Sequence, residues 1–104
     1  MATQPLSTAL VRAVAVPLLA PYARRIFLFG STVAGDAGEG SDVDILVELK
    51  APGERPSLGL RWFALERELA DRLGRPVDLV SDAALTPYLR THVDLHKVLL
   101  YAEG

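Results

Sequence analysis

Residues 26–49 read IFLFGSTVAGDAGEGSDVDILVEL, and two strands can be seen in them before anything else is known. The apolar run from Arg25 to Phe29 passes directly into Gly30-Ser31 and a glycine-rich stretch ending at Gly40, which predicts a short buried strand feeding a tight turn. From Val43 to Leu49 the pattern alternates. Side chains on a strand point to opposite faces in turn, so Val43, Ile45, Val47 and Leu49 share one face while Asp42, Asp44, Leu46 and Glu48 share the other. One face is apolar and the other carries carboxylates.

Outward from this pair, Ser7 or Thr8 can cap a first helix whose apolar stripe is Leu10, Val11, Val14 and Leu18, with Pro21 discouraging its continuation. On the C-terminal side, Ala51 to Ser57 contains two prolines and a glycine and reads as a surface loop. Leu58, Trp62, Leu65, Leu69 and Leu73 then recur at steps of three and four, with Gly74 as the helix stop and Pro76 beyond it. Val77 to Val80 predicts a third strand, and Thr86-Pro87 the start of another helix. The apolar run from Val98 to Tyr101 fits a closing strand or a helix end. This order predicts an α/β fold, residues 1–104 forming a single domain.

The chemistry concentrates in Gly30-Ser31, Asp42-Val43-Asp44 and a later strand-borne carboxylate, Asp78. Aspartates at i and i+2 on a strand lie about 6.7 Å apart along the backbone, so their side chains can converge on one ion. Magnesium suits such a site, because it binds oxygen ligands, commonly takes one or two carboxylates and leaves positions for phosphate oxygens. Two ions about 3.5–4 Å apart can hold both the attacking and the leaving oxygen of a displacement. Asp78 would complete that site. Gly30 allows the backbone to approach a phosphate without a Cβ in the way, and Ser31 adds a hydroxyl donor. The competing account is a polar turn with a solvated strand face, but uncompensated carboxylates beside an apolar strand are costly.

Composition narrows the remaining choices. Half of the residues are hydrophobic and 23% are charged, which fits a folded domain rather than a disordered chain. A net charge of -2 supplies no basic footprint for phosphate backbones, so no direct nucleic-acid ligand is expected. Cysteine is absent, which removes disulfides and fits a cytoplasmic protein. The apolar run from Leu6 to Leu19 is too short to span a bilayer of about 30 Å and has no basic segment before it, so neither membrane insertion nor a signal peptide is expected. His92 and His96 are spaced for one helix face but have no further ligands nearby, and the charges on 61–75 read as a solvated helix face with i,i+4 pairs. A domain this small exposes much of its surface, which favours a partner or a homo- or hetero-oligomer.

The segments LFGSTVAGDAGEGSDVDILV and LGRPVDLV resemble the minimal nucleotidyltransferases of the DNA polymerase beta superfamily over about Arg25 to Val80. The resemblance implies a small mixed β-sheet flanked by helices. It implies that Gly30 and Ser31 form the triphosphate-binding turn, Asp42 and Asp44 are shared ligands of two magnesium ions, and Asp78 is a third metal-site carboxylate near the acceptor hydroxyl. It further implies AMP transfer from ATP to a hydroxyl, with a HEPN-type toxin as partner, a tyrosine of that toxin as acceptor and an antitoxin role for this chain. One departure stands out: Thr32 and Ala34 occupy positions where many such relatives carry arginines, which bind phosphate oxygens through paired donors. That difference supports a competing reading in which the chain neutralises its partner by binding alone.

Overall fold

The computed structural model describes residues 7–29, 43–82 and 97–103. The elements run in the order helix α1 (Thr8–Leu19), strand β1 (Ala23–Phe29), strand β2 (Val43–Leu49), a 3-10 turn (Pro52–Glu54), helix α2 (Arg61–Leu73), strand β3 (Val77–Ser81) and strand β4 (Val98–Ala102). The glycine-rich segment after Phe29, the helix expected at Thr86-Pro87 and both histidines lie outside the described residues. Among the described residues, no helix is long and apolar enough to cross a membrane.

Ser7 begins α1 as its N-cap, its Oγ accepting from the Leu10 amide at 3.1 Å. The buried stripe is Val11, Ala15 and Leu19, with Val14 and Leu18 packed at its margin. Leu10, expected in that stripe, is 42% exposed. The difference comes from Ala15, whose small side chain carries little weight in a hydrophobic pattern yet allows the helix to approach the sheet closely.

In α2, Leu65, Leu69 and Leu73 are buried and Trp62 packs beside them, as the spacing predicts. Leu58 joins the core from before the first turn of the helix. The helix ends at Gly74, which adopts the left-handed conformation (φ 68°, ψ 24°) and donates its N–H to the Ala70 carbonyl at 2.9 Å. Glycine is the residue that adopts this geometry without a Cβ clash.

The four strands form one mixed sheet in the order β3-β2-β1-β4. β1 pairs antiparallel with both β2 and β4, while β2 and β3 are parallel with α2 as the crossover between them. The 98–101 run is therefore a strand. Both described helices cover one face of the sheet, where Val11, Ala15, Leu19, Leu65, Leu69 and Leu73 meet Ile26, Leu28, Val43, Ile45, Val47, Leu79 and Leu100. This is the main core.

Side chains from the helices also reach both outer edges of the described sheet. Arg12 of α1 donates to the Leu100 and Leu99 carbonyls of β4 at 3.1 and 3.3 Å. On the opposite edge, Glu66 of α2 accepts from the Leu79 amide of β3 at 2.9 Å. Edge strands present backbone groups with no strand to pair them, and here named side chains satisfy several of these groups.

Candidate active site

The candidate residues Asp44 and Asp78 belong to the other face of the sheet, and its registers arrange the side chains of that face in rows. Phe29 pairs with Asp44, and Asp44 pairs with Asp78, so Phe29, Asp44 and Asp78 cross three strands side by side. The next row is Phe27, Leu46 and Val80. Phe27 and Leu46 are buried, and Phe29 and Val80 pack against them. Beyond this apolar row, Arg25 pairs in register with Glu48, and the two are joined by an ion pair at 2.5 Å. An aromatic and aliphatic band thus separates the aspartate row from the ion-paired row. Lys97 adds a cation above the Phe27 ring, 4.2 Å from its centroid.

The aspartate row stands at the end of the sheet where β1 finishes and β2 and β3 begin. In the sequence Phe29 is followed by Gly30-Ser31, and Asp44 is preceded by Asp42-Val43. Asp44 is half-buried and Asp78 exposed. Their strands are neighbours in a ladder whose usual spacing is about 4.8 Å, so two carboxylates share one face at short range. Such an all-oxygen, doubly anionic donor set suits a hard divalent cation. Asp44 thus stands on the face opposite the core, as the alternation of Val43 to Leu49 predicts, and in register with Asp78. Gly30, Ser31 and Asp42 lie outside the described residues, and among the described residues no group of three metal-ligating side chains occurs.

The β2–β3 pairing that aligns the two aspartates is fixed at both ends. The Val43 amide donates to the Pro76 carbonyl at 2.8 Å, and the Leu49 amide donates to Asp82 Oδ1 at 3.4 Å. Glu66 adds its contact to the Leu79 amide from outside. The sequence pattern assigned Glu66 to a solvated helix face and missed this contact. Its position directly after Leu65, at the border of the buried stripe, was the available signal. Of the expected i,i+4 pairs on α2, Glu68 and Arg72 form one at 3.8 Å.

Comparison with known proteins agrees with this fold. The sequence profile of the family described as "Nucleotidyltransferase domain" matches residues 18–100. The chain is 50% identical over 62 residues to the protein adenylyltransferase MntA of Thermococcus cleftensis, a match covering 60% of this chain and 59% of that protein's length. A crystal structure of a toxin–antitoxin with AMP-PNP contains a chain 26% identical to it, with a TM-score of 0.74, covering 89% of this chain and 74% of the other. A tri-AMPylated Shewanella oneidensis HEPN toxin in complex with its MNT antitoxin provides a further likeness of fold, at 24% identity and a TM-score of 0.67 over 93% and 74% of the two chains.

Proposed function

The chain belongs to the nucleotidyltransferase domain family, and from that premise we propose that it is a magnesium-dependent protein adenylyltransferase, moving AMP from ATP onto a tyrosine hydroxyl of a HEPN-type toxin and so acting as its antitoxin. The observation that supports this reading most is the register pairing of Asp44 with Asp78 across β2 and β3. Two carboxylates are held on one sheet face, in the row of Phe29, after which the sequence continues into Gly30-Ser31.

In the proposed reaction the acceptor oxygen forms a bond to the α-phosphorus of ATP. The bond from that phosphorus to the oxygen bridging the α- and β-phosphates breaks, and pyrophosphate leaves. Asp42, Asp44 and Asp78 would hold magnesium, which supplies charge neutralisation on both sides of the displacement. Gly30 and Ser31 bind the triphosphate through backbone N–H groups and the Ser31 hydroxyl. Asp78, exposed on β3 at an edge of the described sheet, would lie near the acceptor and orient its hydroxyl. The acceptor hydroxyl gives its proton to solvent water as the new P–O bond forms. The apolar row of Phe27, Leu46 and Val80 borders the aspartates and limits water on that side.

A second reading, neutralisation by binding alone, is favoured by Thr32 and Ala34 at positions where relatives carry arginines. One experiment separates the two. The protein is incubated with its cognate toxin, magnesium and ATP, and the toxin is weighed by intact-mass spectrometry. The expected result is one or more added AMP groups, lost with Asp78→Asn. An unmodified toxin that is nonetheless neutralised, equally by the unaltered protein and by Asp78→Asn, would establish the binding reading instead.

A further inference from the structure

We propose that Glu66 is a positioning residue for Asp78, acting through the peptide that joins Asp78 to Leu79. This inference rests on the assignment of Asp78 above. Glu66 Oε2 accepts from the Leu79 amide at 2.9 Å in a partly buried contact between α2 and β3. The plane it holds comprises the Asp78 carbonyl and the Leu79 N–H. Rotation of that plane changes ψ of Asp78 and therefore the direction in which its carboxylate stands relative to Asp44.

The location explains why such a tie is needed. β3 is an edge of the described sheet, with β2 on one side only. On the inner side the ladder from Val43–Val77 to Val47–Ser81 sets the register. The Asp78 carbonyl of the same plane faces β2, so an outward amide left to water would leave the plane held from the ladder side alone. A carboxylate from the helix satisfies it through a charge-assisted bond, shorter and stronger than a neutral one. Leu65 and Leu69, both buried in the core, flank Glu66 in sequence and fix the helix that carries it. The edge strand bearing Asp78 is thereby tied to the core on its open side, next to the residue whose placement the chemistry depends on.

The test uses the full chain with its cognate toxin and compares Glu66→Ala, Glu66→Gln and Asp78→Asn. Misplacement of a reacting group by about 1 Å can cost as much as ~100-fold, so a partial loosening in Glu66→Ala should lower kcat for AMP transfer by about tenfold. KM for ATP should stay within about twofold, because the proposed triphosphate contacts are carried by the Gly30-Ser31 turn and β2, not by β3. Glu66→Gln keeps an acceptor oxygen and should recover most of the rate. Amide exchange in the protein alone gives a second readout. The Leu79 amide should exchange at least about tenfold faster in Glu66→Ala, with Glu66→Gln restoring protection and Ile45 unaffected. Should Glu66→Ala not fold, Glu66→Met, similar in length and without a strong acceptor, takes its place. An unchanged kcat or unchanged Leu79 exchange in the variant lacking the acceptor, with Asp78→Asn inactive, overturns the role of Glu66 alone. An active Asp78→Asn overturns the assignment of Asp78, and this proposal with it.

Discussion

In the proposed site, Asp44 and Asp78 stand in register on neighbouring strands. Two like charges on adjacent strands repel each other by less than about 1 kcal/mol at a distance near 5 Å in a water-like dielectric. The Asp78→Asn protein in metal-free buffer should therefore melt at the same temperature as the unaltered chain or a few degrees above it, since about 1 kcal/mol corresponds to roughly 4–8 °C in a domain of 60–100 residues. A drop of several degrees in a thermal melt would instead place Asp78 in a stabilising hydrogen-bond network. At this scale the sequence was informative where a period of two could be read directly. The alternation of Val43 to Leu49 assigned Asp44 to the face opposite the core, and the burial of Val43, Ile45 and Val47 agrees. Arg12 and Glu66 could not be read in the same way. Arg12 bonds carbonyls of a strand at the far end of the sequence, and Glu66 bonds an amide of the next strand, contacts that a period of two does not encode.

Among the elements, α2 was the most legible, because its stripe and its glycine stop are both local signals. The stop carries a measurable prediction. Gly74 is left-handed, and a Cβ built on it would meet nothing within 4 Å, so Gly74→Ala should be destabilised by backbone conformation alone. A loss of about 1 kcal/mol is expected, since alanine pays roughly 1–2 kcal/mol in that region. It should appear as a lower urea midpoint with an unchanged slope. No loss would mean that the helix end can readjust without glycine. β4 shows the limit of local reading, because a short apolar run has no period that separates a strand from the end of a helix. Its pairing with β1 decides the matter, and that partner lies at the opposite end of the sequence. The α1 stripe falls between these cases, its helical period being clear while the contribution of Ala15 was hidden by its size.

For the molecule as a whole, the division of labour between the two sheet faces was foreseeable, but the strand order was not. One face carries the described helices and the main core, and the other carries the aspartate row. The order β3-β2-β1-β4 follows from pairings between segments that are distant along the chain, and no local propensity encodes it. That order also sets a timetable for biosynthesis. Strand β1 lies between β2 and β4, and its partner for Arg25 on the outer side is Ala102. At the usual elongation rate of about 5–20 residues per second, the ribosome needs roughly 4–15 s to advance from one to the other. Throughout that interval one flank of β1 has no native partner strand, and Arg12 has no strand carbonyls to bond. A nascent chain stalled at successive lengths should generate its final pulling force only after residue 102 has cleared the exit tunnel, and a full force before that point would mean that the fold closes without its last strand.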